Sequence, residues 1–375
     1  MKKKLLFVFG TRPEAIKMAP VITACKAVEE FEVIICTTGQ HKEMLEQVMQ
    51  FFNLQADFKL DVMKESQTLF HLTSSILTQL QNIIIQAKPD VVLVQGDTTT
   101  AFAGALAAYY AQVPVAHIEA GLRSFNNYSP FPEEVNRKLI GNIAKYHFCP
   151  TEKAYNNLIN EGITSKVFIT GNTVIDALLH GVEKVRNDAA IISYFDNIIK
   201  PGKKNILVTG HRRESFGKPF ENICNALLEI AEKRDDVQII YPVHLNPNVQ
   251  KIVHEKLGNN QSIQLIQPLD YAKLIYLMDK SYLVLTDSGG IQEEAPSLGK
   301  PVVVLREVTE REEGIEAGTA VLAGTETQNI VQHTMSILGN DVLYNNMAQA
   351  RNPYGIGDSA AQIAEILLKE LNKNG

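Results

Sequence analysis

The chain has 375 residues, 45% of them apolar and 21% charged, which is material for two domains that each bury a core of their own. A net charge of −6 argues against a broad nucleic-acid surface, which needs a basic excess. No apolar run approaches the roughly 18–20 residues of a membrane span.

Met1-Lys2-Lys3-Lys4-Leu5 imitates the start of a signal segment, but the apolar run ends at Gly10-Thr11-Arg12, too early and too polar for cleavage. It reads instead as a strand over residues 5–9, followed by a helix over 14–29 and a strand over 32–37. Met44, Leu45, Val48, Met49 and Phe52 recur at helical spacing within 42–52, and 68–86 repeats that pattern. A continuous apolar strand at 91–95 precedes a helix at 101–110 and a strand at 113–118. Helices at 132–144 and 151–161 flank a short strand at 146–149. Periodicity weakens around 186–204, and then the alternation restarts. Strands are expected at 205–209, 237–241, 263–266, 283–286 and 302–305. The helices between them are expected at 220–233, 248–257, 271–278 and 291–298, and a last amphipathic helix spans 360–371. Apolar strands separated by helices imply parallel sheets covered on both faces.

The expected fold class is therefore α/β, with two doubly wound Rossmann-like domains facing across a cleft. Their bounds are 1–185 and 186–358, and a C-terminal helix, 359–375, packs back on the first domain. The four cysteines, Cys25, Cys36, Cys149 and Cys224, form no C-x-x-C pair and read as buried free thiols of a cytoplasmic protein.

Ligands of such sheets bind at the carboxyl ends of strands, and the polar motifs fall there. Gly10-Thr11-Arg12-Pro13-Glu14-Ala15-Ile16-Lys17 joins the first strand to a helix. Its N-terminus suits an anion, with Arg12 and Lys17 adding positive charge. Asp97, in Gly96-Asp97-Thr98-Thr99-Thr100, is either a helix N-cap or a carboxylate facing a ligand. His117 and Glu119 have the H-x-E spacing of zinc deaminases, but no P-C-x-x-C follows. Zinc is rejected, and His117 reads as a core histidine. Glu133 and Glu134 follow Pro132 at a helix start, where acidic residues also suit the helix dipole.

In the second half, Gly210-His211-Arg212-Arg213 suits a diphosphate. In Asp287-Ser288-Gly289-Gly290-Ile291-Gln292-Glu293-Glu294 the glycines let a phosphate approach the backbone, and Glu294 is placed to accept from two ribose hydroxyls. No G-x-x-x-x-G-K-[ST] is present. Gly355-Ile356-Gly357-Asp358-Ser359-Ala360 matches G-x-G-x-x-A without a preceding strand and reads as a helix-capping turn. No metal or nicotinamide cofactor is implied, and the expected cofactor set is none.

Taken together and in this order, these motifs, with His117-Ile118-Glu119-Ala120-Gly121-Leu122-Arg123 and Pro132-Glu133-Glu134, resemble the bacterial non-hydrolysing UDP-N-acetylglucosamine 2-epimerases over nearly the whole chain. The resemblance implies the GT-B fold of nucleotide-sugar glycosyltransferases and a cytoplasmic homodimer. It further implies interconversion of UDP-GlcNAc and UDP-ManNAc for surface polysaccharides. By position, it makes Arg12 and Lys17 ligands of the nucleotide sugar, Asp97, Glu119 and Glu133 the acid–base carboxylates, and His211 a catalytic and diphosphate residue. Ser288, Gly289 and Gly290 become the phosphate cradle, Glu294 the ribose clamp, and Arg311 a further ligand. Leu269 and Leu274 stand at uracil-side positions where relatives can carry a polar and an aromatic residue. Some members bind a second UDP-GlcNAc as activator through a Gln-His-x-Gln stretch and an arginine. Here Gln40-His41-Lys42-Glu43 and Ser66 replace an amide by a carboxylate and lose a cation, which predicts weakened activation.

The proton on C2 of the sugar is not next to a carbonyl, so the expected route is elimination of UDP to bound 2-acetamidoglucal and re-addition to the opposite face. Carboxylates crowded together are expected to raise one another's pKa. The competing readings are a glycosyltransferase on the same architecture, a hydrolysing epimerase and a non-enzymatic nucleotide-sugar sensor.

Overall fold

Two parallel sheets order the chain, and each is built by the same winding. The computed structural model describes residues 2–39, 42–62, 67–210 and 217–373. The first sheet contains β1 (Lys3–Phe9), β2 (Phe31–Thr37), β3 (Phe58–Lys59), β4 (Val91–Gln95), β5 (Val115–Ile118), β6 (Tyr146–Cys149) and β7 (Val167–Ile169), in the order β3-β2-β1-β4-β5-β6-β7. Five residues in a row of β1 and all five of β4 are buried, as a sheet covered on both faces requires. Each wholly buried Leu, Val or Phe there contributes about 1.5–3 kcal/mol.

The chain winds outward from β1 to β3 and then returns to lay β4 beside β1. The switch point of this sheet therefore lies between the loops that follow β1 and β4. Those loops open α1 (Arg12–Lys26) and α4 (Thr99–Tyr110). The other helices of this unit are α2 (Lys42–Phe51), α3 (Leu69–Ala87), α5 (Glu133–Ile143), α6 (Glu152–Asn160), the start of α7 (Thr173–Val185), and the last helix, α16 (Ser359–Asn372).

α1 begins two residues earlier than its pattern predicts. Thr11 and Glu14 form a capping box, and Pro13 suits the first turn. Seven apolar residues of α1 are buried, because α16 packs against it. α16 brings Ile363, Ala364, Leu367 and Leu371 inward, and its first turn is held by Asp176, whose carboxylate accepts from the Ala360 amide at 2.8 Å. The G-x-G-x-x-A segment is the turn ahead of this helix, with Gly355 and Gly357 at positive φ.

The second sheet contains β8 (Lys204–Thr209), β9 (Val237–Pro242), β10 (Ile263–Ile266), β11 (Leu283–Thr286), β12 (Val302–Val304) and β13 (Ala320–Leu322), in the order β10-β9-β8-β11-β12-β13. Its switch point lies between β8 and β11. Its helices are α8 (Ala189–Asp196), α9 (Lys218–Lys233), α10 (Pro247–Leu257), α11 (Tyr271–Asp279), α12 (Gly289–Glu294), α13 (Glu312–Glu316), α14 (Thr327–Gly339) and α15 (Asp341–Gln349). The two compact units are Met1–Ala177 with Tyr354–Gly375, and Leu178–Pro353.

The continuous helix predicted over 291–298 is instead α12 followed by a 3-10 turn, Ala295–Leu298. Pro296 has no amide hydrogen to continue the α-helical ladder, so the backbone tightens there. The short edge strands β3, β7 and β13 and helix α8 carry too little pattern to be read from sequence.

Candidate active site

In the first unit, the loops after β1, β4 and β5 are tied to one another. Glu14 is buried, and its Oε2 accepts from the amides of Gly10 (3.1 Å) and Thr11 (2.8 Å), while its Oε1 accepts from the Thr98 hydroxyl at 2.7 Å. One carboxylate thus spans the switch point. Burial pushes its pKa above the usual carboxylate value, against these hydrogen bonds. His117, on β5, is 1% exposed, and its Nε2 donates to the Gly96 carbonyl at 2.7 Å. Burial lowers its pKa to about 3, so the ring is neutral. It is a core histidine, as read, but only half satisfied, since Nδ1 has no partner among the described residues. Its bond holds Gly96 at φ 68, a left-handed turn that glycine adopts without strain and that delivers Asp97.

Asp97 is ion-paired through Oδ2 with Arg137 on α5 at 2.5 Å, and its carbonyl accepts from the Asn136 amide at 2.8 Å. Arg137 also reaches Glu134 at 3.4 Å. Glu134 is fully buried and accepts from the amides of Ser124 (2.8 Å) and Phe125 (3.2 Å), which fixes the 124–132 loop. Glu133, one residue earlier, is only partly buried and is not part of that clamp. Glu119 follows β5 at φ 64, a conformation that costs a non-glycine residue about 1–3 kcal/mol. Its Oε2 is ion-paired with Lys17 of α1 and also accepts from the Gln95 amide at the end of β4. Arg12 stands partly exposed in the first turn of α1, with no ion-pair partner among the described residues.

Beside the expected crowding of carboxylates, the structure gives two of them partners that the sequence did not show. Asp97 and Glu119 each have a cation of their own, Arg137 and Lys17. The sequence reading singled out neither Gln95 nor Arg137, nor the clamping roles of Glu14 and Glu134. Arg137 lies one turn beyond Glu134, and that i,i+3 spacing was the only signal for it.

In the second unit, the loop after β11 meets the end of β8. The Thr209 and Thr286 hydroxyls bond at 2.6 Å, and Thr286 also accepts from the Ser288 amide at 2.9 Å. The Tyr241 hydroxyl donates to the Gly210 carbonyl at 2.7 Å. Ser288 is the residue before α12. A Cβ at Gly289 would lie 3.1 Å from Cζ of Arg311, so glycine there lets the guanidinium approach the helix start. Arg311 is held by Glu293, which accepts from its Nε at 2.8 Å, and by Thr309, which accepts from its backbone amide at 3.1 Å. Thr309 in turn donates to Gln292 at 2.7 Å. Glu294 is buried in the same helix. Leu269 and Leu274 lie partly buried around the start of α11, beyond the carboxyl end of β10. This unit thus brings Ser288, Gly289, Gly290, Glu294 and Arg311 together. His211 lies outside the described residues, as do Gln40, His41 and Ser66, on which the reading of weakened activation rests. Among the described residues, no three His, Cys, Asp or Glu side chains are placed to hold a metal ion.

Two parallel doubly wound sheets, each with polar loops at its switch point, define a GT-B-like protein of tandem Rossmann units. A glycosyltransferase of kitacinnamycin shares this fold at 10% identity and a TM-score of 0.67. The chain belongs to the UDP-N-acetylglucosamine 2-epimerase family, which matches residues 23–368. It is 53% identical to a probable UDP-N-acetylglucosamine 2-epimerase of Ralstonia nicotianae over 97% of this chain and 98% of that one. It is 52% identical to the UDP-N-acetylglucosamine 2-epimerase of Escherichia coli K12, with the same coverage. Among solved structures, the UDP-GlcNAc 2-epimerase of Neisseria meningitidis bound to UDP-GlcNAc superposes with a TM-score of 0.89. That match has 48% identity and covers 98% of this chain and all of the other.

Proposed function

We propose that this protein interconverts UDP-GlcNAc and UDP-ManNAc by elimination of UDP across C1–C2 and re-addition of UDP to the bound glycal, with the C2 proton returned to the opposite face. One observation carries the reading: in a chain of this family, Asp97 and Glu119 follow the neighbouring strands β4 and β5 of one sheet, each ion-paired with its own cation. A carboxylate held in place at a strand end is the kind of group that can take a proton from a bound substrate.

The bond from C1 to the diphosphate oxygen breaks as the C2 proton passes to a carboxylate, and UDP leaves with the electron pair. In the return step, UDP re-attacks C1 and a proton is delivered to the other face of C2. The sum is non-redox, so the route calls for no electron-carrying cofactor. Asp97, Glu119 and Glu133 supply the proton-transfer groups. Arg12, Lys17, His211, Arg311 and the Ser288-Gly289-Gly290 turn take the departing diphosphate charge. Glu294 clamps the ribose, and Leu269 and Leu274 border the uracil. That the Neisseria relative is bound to UDP-GlcNAc supports the choice of nucleotide sugar.

The same reading makes the protein a cytoplasmic homodimer that supplies precursors for surface polysaccharides. The dimer is supported by exposed large apolar side chains on the packed pair α3 and α4: Leu69, Phe70, Ile85, Tyr109 and Tyr110. The cytoplasm is supported by four buried thiols with no disulfide.

The test is proton NMR of the purified protein with UDP-GlcNAc in heavy water and no acceptor. Appearance of UDP-ManNAc carrying deuterium at C2 is the expected result. Free ManNAc would mean hydrolysis, and an unchanged spectrum despite measured binding would refute the reading.

A further inference from the structure

We infer that Gln95 is a positioning residue for this reaction, holding Glu119 by one oxygen so that the other is left for the substrate. The inference rests on the epimerase reading and deepens it. Gln95 is the last residue of β4, 3% exposed, and its register partner in β5 is Ile118, directly before Glu119. Two donors, the Gln95 amide and the Lys17 ammonium, converge on the same atom, Oε2 of Glu119. Oε1 has no hydrogen-bond partner among the described residues. Glu119 itself has a left-handed backbone, φ 64, directly after β5.

The two donors differ in kind. Lys17 is a cation, and in the proposed function it also answers to the diphosphate of the substrate. Gln95 is neutral, buried and anchored in a strand, so a diphosphate does not draw it away. When substrate engages Lys17, Gln95 is the donor that keeps Oε2 fixed. The charged and titratable groups on the flanking elements include Arg12, Glu14 and Lys17 on α1, Asp97 after β4, Glu133, Glu134 and Arg137 on α5, neutral His117 on β5, and Arg123 with its partner Glu161. None of these replaces a neutral donor at Oε2.

The experiment compares wild type with Gln95→Leu, which removes the donor at similar volume, and Gln95→Glu, which keeps the shape and places a carboxylate against a carboxylate. Deuterium incorporation at C2 of UDP-GlcNAc is followed across pH, with UDP affinity measured by calorimetry. Both variants are expected to lose about 100-fold in kcat, with KM and UDP affinity within about twofold of wild type. The acid limb of the kcat profile is expected to move up by about one pH unit in Gln95→Leu and further in Gln95→Glu. An acid limb unmoved in both variants would overturn the inference, whatever the loss in kcat. If Gln95→Leu does not fold, the isosteric Gln95→Glu decides alone. Absence of exchange in wild type would instead refute the epimerase reading, so the two failures are told apart.

Discussion

Glu14 shows how a residue without a catalytic assignment builds a site. It joins the loops after β1 and β4 through three hydrogen bonds from inside the fold. Its folded pKa lies above the unfolded value of 4.5, so folding favours the acid form. That contribution to stability is present below pH 4.5 and is lost as pH rises through the folded pKa. Glu14→Gln keeps an acceptor for the two amides and a group for Thr98, and it removes the charge. Urea unfolding from pH 4.5 upward should then show a smaller decline in the variant than in wild type. Glu14→Ala leaves two amides without an acceptor and should cost about 3 kcal/mol or more by the same assay. Adjacent glutamates make the complementary point. Glu133 and Glu134 are equivalent as letters, but one turn of helix directs Glu134 inward as a clamp and leaves Glu133 partly exposed. The residue types of the candidate site were legible, because they follow apolar strands. Gln95 and Arg137 were not, because an amide at a strand end and an arginine on a helix carry no local sign of the carboxylate they meet.

Among the elements, β5 and β6 place two histidines side by side, His117 opposite His147 in the register. Burial lowers their pKa values to about 3 and about 4, from 6.5 in the unfolded chain. Depressed values mean that the unfolded state takes up protons first. Stability from these rings is therefore whole above pH 6.5 and is lost as pH falls toward their folded values. Urea unfolding should show stability falling by up to about 1.4 kcal/mol per pH unit for each ring within that window. No fall just below pH 6.5 would mean that the rings are solvated. Elements with long apolar runs, such as β1, β4 and β11, were readable because burial on both faces leaves few polar positions. β3, β7 and β13 were not, since two or three half-exposed residues at a sheet edge have no period to detect.

At the scale of the whole molecule, the chain leaves the first unit at α7 and returns to it for α16, which covers α1, the helix that carries Arg12 and Lys17. Covering that face is what allows α1 to be apolar on two sides. The exposed large apolar side chains on α3 and α4 belong to the same scale. Phe70 is 89% exposed and Tyr110 71%, a large apolar presentation for a solvated surface. If these side chains join two copies, Phe70→Glu with Tyr110→Glu should convert a dimer to monomers in sedimentation velocity while each monomer keeps its melting behaviour. A double variant that sediments like wild type would place the contact elsewhere.

The sequence by itself determined the alternation of strand and helix, the two parallel sheets, the polar loops at their carboxyl ends and the family. These follow from local periodicity and from motifs contiguous in the chain. The tertiary structure alone decided which group answers which. Lys17 and Glu119 are 102 residues apart, and Glu14 and Thr98 are 84 apart. They meet because the winding reverses between β1 and β4 and brings distant loops to one edge. Hydrogen bonds and ion pairs act through space over a few ångströms, so the partner that sets a carboxylate's charge and aim appears only once the sheet has closed the distance.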